Sequence, residues 1–222
     1  MSLSKSIRKT FGRWVLIPAT KYYLSKERKI ALAGLEIKVP PGVFHPTLFS
    51  STKLLLEFVN SQPVLGLKVL ELGAGSGLLA VDMARNGALV TASDINPIAC
   101  ATVRENARIN DVVVNVVHSD LFDQFVDQLF DLILINPPYY PKTPKTDAEK
   151  AWFCGDDYEY FKKLFSQLAH FLSKTGYAMM ILSEDCNLKK IHQLATEKGY
   201  KWQSFSTIKK NGEWYYLVKL SV

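Results

Sequence analysis

The architecture of this chain is most clearly indicated by the sequence Val69-Leu70-Glu71-Leu72-Gly73-Ala74-Gly75-Ser76-Gly77. Its first four residues are mostly apolar and predict a buried strand, and the glycines predict a tight turn into a helix. Glycine lets the backbone turn sharply and approach a ligand closely. Leu78 stands where the third glycine of the dinucleotide fingerprint G-x-G-x-x-G would be. The stretch therefore predicts a ligand-binding loop that departs from that fingerprint.

The same alternation of strand and helix continues along the chain. After the first strand we predict strands over 88–93, 112–117, 130–135 and 177–182, and helices over 77–86, 97–110, 158–172 and 188–198. Residues 202–208 and 214–222 flank Lys210-Asn211-Gly212, a typical hairpin turn. Upstream, a short hairpin over 30–39 precedes a helix that begins at Ser50 or Ser51. This order predicts an α/β protein with a mostly parallel seven-stranded sheet that ends in an antiparallel hairpin.

Composition excludes several classes of protein. No apolar run approaches the roughly 20 residues that span a bilayer, so we expect no membrane segment and a cytoplasmic protein. The three cysteines are odd in number and far apart, and the four histidines are scattered. These spacings fit neither a disulfide framework nor a zinc site, and we expect no metal.

Charge is distributed unevenly along the chain. Residues 1–29 contain eight basic residues and one acidic residue, and residues 188–222 contain seven lysines and two glutamates. The middle of the chain is net acidic. Basic ends favour a polyanionic partner such as RNA or a ribosome, and a merely solubilising surface charge is the alternative.

Two carboxylates follow successive predicted strands. Asp94 ends the second strand, where it can accept hydrogen bonds from both hydroxyls of a ribose. Asp120 follows the third strand and can accept from an adenine amino group while Leu121 packs on the ring. Each aspartate alone could simply form a turn. The loops after parallel strands converge on one crevice, so we expect both near the glycine loop.

Asn136-Pro137-Pro138-Tyr139 follows the fourth strand and shapes the same edge of the sheet. Two prolines remove two backbone donors and make the chain leave the sheet stiffly. The Asn136 side chain and the Pro137 carbonyl can accept two N–H bonds from a planar nitrogen, and Tyr139 offers a ring to stack on it. A strand-ending turn is the alternative for this tetrad alone.

Together these motifs resemble the S-adenosylmethionine-dependent methyltransferases of the small-domain type with an NPPY motif, over about residues 42–182. That group includes HemK-like release-factor glutamine methyltransferases and RNA purine N-methyltransferases. The resemblance implies a Rossmann-like doubly wound fold with S-adenosylmethionine as cofactor. It implies cofactor contacts for Glu71, Gly73, Gly75, Gly77, Asp94, Ile95, Asp120, Leu121 and Asn136. It also implies that Asn136, Pro137 and Tyr139 are catalytic and that Asn136, Pro137, Pro138 and Tyr139 bind the target amine.

One feature of the sequence departs from the glutamine-methylating pattern: Ser51 stands where those enzymes carry an acidic residue before the threonine. We expect a basic arm and hairpin over residues 1–45 and a methyltransferase domain over 46–222. The expected substrate is a macromolecule of the translation machinery, a protein glutamine or, alternatively, a purine amine of rRNA or tRNA. A non-catalytic binding module and a nicotinamide-dependent oxidoreductase are more distant alternatives, and the oligomeric state and any activating subunit stay open.

Overall fold

The computed structural model describes residues 25–48, 50–147 and 149–222. Seven strands form one sheet in the order β5-β4-β3-β6-β7-β9-β8, and β1 and β2 form a separate antiparallel hairpin. Strands β3 to β7 run parallel to one another, whereas β9 runs antiparallel to both β7 and β8. The predicted α/β, Rossmann-like, mostly parallel sheet with its C-terminal antiparallel hairpin is confirmed.

The elements have the following bounds. The strands are β1 Arg28–Leu32, β2 Leu35–Val39, β3 Lys68–Leu72, β4 Leu89–Asp94, β5 Asn115–His118, β6 Phe130–Ile135, β7 Leu172–Ser183, β8 Lys201–Lys210 and β9 Glu213–Ser221. The α-helices are α1 Ser50–Asn60, α2 Leu78–Arg85, α3 Pro97–Ile109, α4 Glu159–Gln167 and α5 Leu188–Glu197.

Hydrophobic cores cover both faces of the sheet. Because side chains alternate along a strand, Leu132 and Leu134 of β6 face one way and Ile133 and Ile135 face the other. Helices α1, α2 and α3 pack on the first face, and α4 and α5 pack on the second. The sheet is therefore doubly wound, and the carboxyl ends of its parallel strands stay open for a ligand.

Asn106 of α3 and Asn110 just after it attach the N-terminal hairpin to this helix. The Asn106 side chain, fully buried, accepts from the Lys38 backbone N–H at 2.8 Å and donates to the Lys38 carbonyl at 2.9 Å. Asn110 makes the matching pair of bonds with Glu36 at 3.0 and 2.8 Å. Leu35 and Ile37 share the core of α1 to α3, so the hairpin packs as part of this layer. The predicted domain boundary at residue 45 stays a prediction.

Three predicted element bounds are wrong. The strand predicted from residue 112 begins at Asn115, because Asp111 has φ 52° and the Val112 N–H still bonds the Ala107 carbonyl at the end of α3. The helix predicted over 158–172 changes to a 3₁₀ turn after Gln167. Strand β7 begins at Leu172 rather than 177, because it pairs with Phe130 before a register shift.

The predicted basic arm lies outside the described residues as far as residue 24. The lysines of the C-terminal region lie on or beside α5, β8 and β9, and Lys189, Lys198, Lys201 and Lys209 are exposed. Among the helices that the structure describes, none has the length and apolar character to cross a bilayer.

Candidate functional site

A cavity of about 390 Å³ lies at the carboxyl ends of the parallel strands. Its size is typical of small-ligand sites, which span roughly 300–1,000 Å³. The glycine loop, the residues after β4, β5 and β6, residues 42–44 and 150–155, and Pro46, Pro144 and Asp147 line it. The convergence of these loops, predicted from the order of strands, is therefore present in the structure.

The glycine loop is fixed to β4 by its backbone. The N–H groups of Gly73 and Ala74 both donate to the Ser93 carbonyl at 2.9 Å. A Cβ on Gly73, whose φ is 76°, would meet no atom within 4 Å. Gly73 and Gly75 line the cavity, so the loop offers backbone to a ligand there.

Gly77 does not line the cavity but lies where helix α2 begins. A Cβ on Gly77 would come within 2.8 Å of Cγ2 of Val103 on α3, and its φ of 72° is left-handed. The absence of a side chain at Gly77 thus lets α2 and α3 approach closely where the loop ends.

Glu71 lines the cavity from β3 although it is only 6 % exposed. Its Oε2 accepts from the Ala80 N–H at 2.7 Å, in the first turn of α2. Burial raises the pKa of the Glu71 carboxyl to about 8, against the lowering effect of that hydrogen bond, and the charge of Asp94 raises it further. A cation bound beside Glu71 would favour the ionised form.

Asp94 is held by two backbone donors. Its Oδ2 accepts from the Gly75 N–H and its Oδ1 from the Asn96 N–H, both at 2.8 Å. Burial raises the pKa of the Asp94 carboxyl, against the effect of these bonds. Each carboxylate oxygen has more than one acceptor site, so Asp94 can still accept from a ligand hydroxyl. Ile95 lines the cavity beside it.

Asp120 and Leu121 lie on the cavity wall after β5. Lys163 of α4 donates to Asp120 Oδ2 at 2.7 Å and to Asp123 Oδ2 at 2.6 Å. Leu121 is buried and takes a left-handed φ of 53°, which is unusual for a residue with a side chain. The lysine therefore orients the carboxylate, and the unusual backbone turns the leucine inward.

The Asn136–Tyr139 tetrad closes one end of the cavity. Asn136 Nδ2 lies 3.3 Å from Ser51 Oγ and 3.5 Å from Thr52 Oγ1 of helix α1. The Tyr139 hydroxyl donates to Asn136 Oδ1 at 3.0 Å, and burial raises the pKa of that phenol. The amide oxygen has two lone pairs, so one stays for another donor.

Two further carboxylates beside the tetrad escaped the sequence reasoning. The Tyr140 hydroxyl donates to Asp185 Oδ2 at 3.0 Å, and the Tyr215 hydroxyl donates to Glu213 Oε2 at 2.5 Å. All four residues line the cavity. Asp185 follows β7, so the rule that found Asp94 would also have found it. Glu213 comes from the antiparallel strand β9, and no local pattern marks it.

The segment 140–157 is an ordered wall in its described part. The Tyr140 N–H donates to the Trp152 carbonyl at 3.0 Å, and the Cys154 N–H donates to the Tyr140 carbonyl at 2.9 Å. The ring of Trp152 lies 5.2 Å from that of Phe44, centroid to centroid, and so joins this wall to the segment that follows β2. These bonds make the described part of this segment an ordered connector between β6 and α4.

Comparisons with known proteins agree with this geometry. The family described as "Methyltransferase small domain" matches residues 34–215. A protein of Methanocaldococcus jannaschii with the provisional name protein N5-glutamine methyltransferase is 32% identical over 186 residues, which are 81% of this chain and 92% of that protein. The ribosomal RNA small subunit methyltransferase C of Hamiltonella defensa is 34% identical over 135 residues, 60% of this chain and 39% of that protein.

A third relative and one solved structure are also similar to this chain. The release factor glutamine methyltransferase of Lactococcus lactis is 37% identical over 108 residues, 47% of this chain and 39% of that protein. The 16S rRNA N2-guanosine methyltransferase of T. thermophilus, solved with S-adenosylmethionine and guanosine, superposes with a TM-score of 0.65 at 21% identity, over 88% of this chain and 50% of that one. At this level of identity, the similarity to the T. thermophilus structure concerns the fold alone.

Proposed function

Because the chain belongs to the methyltransferase small domain family and is an S-adenosylmethionine-dependent methyltransferase, we propose that it methylates a glutamine side-chain amide in a protein of the translation machinery. The observation that carries this proposal is the placement of Asn136 Oδ1 at one end of the cavity, with the amide fixed by helix α1 and Tyr139. The M. jannaschii relative, 92% of whose length this chain covers, supports glutamine as the acceptor.

The residues of the cavity fit the cofactor. Bound S-adenosylmethionine supplies an electrophilic methyl carbon on a sulfonium. Gly73 and Gly75 expose backbone, and Glu71 places a carboxyl beside them for the cationic methionine end. Asp94 keeps acceptor capacity for two ribose hydroxyls. Ile95 and Leu121 would flank the adenine, Asp120 would accept from its amino group, and Asn136 would border the methyl end.

On the acceptor side, Asn136 and Pro137 would hold the target nitrogen. The Asn136 oxygen and the Pro137 carbonyl each accept one N–H bond, which turns the nitrogen lone pair toward the methyl carbon. Positive charge builds on the nitrogen during transfer, so both bonds strengthen in the transition state. Pro138 stiffens the segment, and Tyr139 stacks on the amide plane or holds Asn136. Alignment of this kind can supply roughly 7–11 kcal/mol of the barrier.

The charge of the cavity favours a protein acceptor. Its lining includes seven carboxylic side chains and two lysines, Lys150 and Lys163. Both lysines are paired with carboxylates, Lys150 with Asp147 at 2.9 Å and Lys163 with Asp120 at 2.7 Å. Asp185 and Glu213 stand at the acceptor end. Carboxylates there would repel the phosphates of a nucleotide but not a neutral glutamine.

A purine exocyclic amine of ribosomal or transfer RNA is the second candidate. It also presents a planar N–H group, and the H. defensa relative is named for ribosomal RNA. The lysines on or beside α5, β8 and β9 offer a basic surface outside the cavity for a polyanion. The cytoplasm, where translation takes place, is where we propose the enzyme acts, alone or with an activating subunit.

The test uses S-adenosylmethionine labelled in the methyl group and a cell extract divided into protein and RNA fractions. We expect label in the protein fraction. Asn136→Ala should abolish labelling while the cofactor Kd, measured by calorimetry, stays within about twofold. Asn60→Ala, an exposed asparagine at the end of α1, is the matched control and should label normally. Label confined to RNA would favour the second candidate, and full activity in Asn136→Ala would remove the assigned role.

A further inference from the structure

The first turn of helix α1 presents three consecutive hydroxyl side chains, those of Ser50, Ser51 and Thr52. They are 7%, 1% and 7% exposed. Ser50 turns toward the C-terminal hairpin, where Asn211 Nδ2 donates to its Oγ at 3.1 Å. Ser51 and Thr52 turn toward Asn136 and line the cavity. Ser51 and Thr52 thus contact Asn136 directly, whereas Ser50 does not line the cavity and acts on it only through the phenol of Tyr215.

Asn136 is hydrogen-bonded to partners on both sides of its amide group. Asn136 Nδ2 donates to Ser51 Oγ at 3.3 Å, and the Tyr139 hydroxyl donates to Asn136 Oδ1 at 3.0 Å. The Ser51 hydroxyl also lowers the pKa of the Tyr139 phenol, against the larger raising effect of burial. Ser51 and Tyr139 therefore hold the Asn136 amide from opposite ends.

This arrangement fixes where the Asn136 amide lies. Its NH₂ end bonds to Ser51 and Thr52, so the oxygen lies on the opposite side with a lone pair free for a second donor. Hydroxyl groups can donate or accept, so Ser51 and Thr52 hold the amide in place, and the N–H donors of the target select its oxygen over its NH₂ group. The acceptor function of Asn136 therefore uses its partners on α1 as anchors.

We propose that Ser51, assisted by Thr52, is a positioning residue for methyl transfer that keeps Asn136 Oδ1 directed at the acceptor nitrogen. The inference rests on the proposed role of Asn136. Ser51 touches neither reacting atom, and it acts by holding the Asn136 side chain in the position that presents Oδ1 to the target nitrogen. Its loss should reduce turnover more than binding, because the cofactor contacts on β3 and β4 are unchanged.

The experiment compares Ser51→Ala, Ser51→Thr and Ser50→Ala. It measures methyl transfer from labelled S-adenosylmethionine to the protein fraction that the wild-type enzyme labels. Ser51→Ala should lower kcat roughly tenfold with the acceptor KM and the cofactor Kd nearly unchanged, as expected for the loss of one orienting hydrogen bond. Ser51→Thr keeps the hydroxyl and should restore most of kcat. Ser50→Ala removes a buried hydroxyl from the same turn that does not contact Asn136, and it should lower kcat much less than Ser51→Ala.

A second pair of variants guards against misfolding. Ser51→Cys keeps the size of the side chain with a much weaker hydrogen-bonding group, and it should resemble Ser51→Ala in kcat. Thr52→Val keeps the shape of threonine and removes the longer contact, so kcat should fall by a smaller factor.

Wild-type kcat in Ser51→Ala, or equal losses in Ser51→Ala and Ser50→Ala, would overturn the inference. So would failure of Ser51→Thr to recover turnover. These results are distinct from failure of the proposed function, which appears as label confined to RNA, and from failure of the role of Asn136, which appears as full activity in Asn136→Ala. An inactive Asn136→Ala with a fully active Ser51→Ala would refute the positioning role and leave the proposed function in place.

Discussion

Gly77→Ala tests whether this glycine serves the packing of two helices. The added Cβ would lie 2.8 and 2.9 Å from the two γ-carbons of Val103 and 3.1 Å from its Cβ, at a φ of 72°. The left-handed backbone costs roughly 1–2 kcal/mol for a residue with a side chain. Overpacking against Val103 adds about 1–3 kcal/mol. The free energy of unfolding should therefore fall by roughly 2–5 kcal/mol.

The control isolates the backbone contribution. Gly199 has φ 84° just after α5, and a Cβ there would meet no atom within 4 Å. Gly199→Ala should therefore cost only the backbone strain, roughly 1–2 kcal/mol. Urea denaturation gives both values. In a double-mutant cycle with Val103→Ala, the Gly77→Ala variant should show a favourable coupling of about 1–3 kcal/mol. Equal losses at the two glycines, or strictly additive effects with Val103→Ala, would refute the packing argument.

Three more predictions concern the cavity. The folded protein keeps the Glu71 proton up to about pH 8 and the unfolded chain releases it near 4.5. The protonated Glu71 carboxyl therefore stabilises the fold fully below pH 4.5, and this contribution is lost as pH rises through 8. Between pH 5 and 8 the free energy of unfolding should fall by up to about 3 kcal/mol in the wild type, and Glu71→Gln should lack this fall. Trp152→Ala removes the ring contact with Phe44 and should raise the cofactor dissociation rate several-fold in stopped-flow experiments, whereas Trp214→Ala, on the exposed hairpin, should not. Asp185→Asn should strengthen inhibition of the enzyme by short RNA at low salt, and an unchanged inhibition constant would remove the electrostatic argument against an RNA acceptor.

Sequence reasoning found those parts of the fold whose signals are local. Strand β6 was predicted to the residue, because a continuous apolar run ends at an asparagine and two prolines. Helix α3 was predicted almost as well, since Asn96 caps it by accepting from the Ile98 N–H and Pro97 opens it. The start of β5 was missed because the backbone of Asp111, and not the run of valines after it, decides where pairing resumes.

The candidate site likewise contains residues that local patterns predict and residues that only long-range contacts place there. Loops after parallel strands share one edge of the sheet, and this rule predicts that Asp94, Asp120 and Asn136 lie close together. All three line one cavity in the structure. The orientation of the Asn136 amide depends on Ser51, 85 positions away in the sequence, and no local pattern encodes that distance. Glu213 reaches the cavity only through the register of the antiparallel hairpin. Long-range contacts of this kind become visible only in the folded chain.

The chemical position of the transferred methyl group distinguishes a glutamine acceptor from a purine acceptor. Acid hydrolysis of a protein methylated on a glutamine amide cleaves the amide and releases the nitrogen with its methyl group. The labelled product of the wild-type enzyme should therefore yield labelled methylamine, and Asn136→Ala should yield none. Label that stays on a purine after hydrolysis, or on carbon in either fraction, would contradict the proposed acceptor.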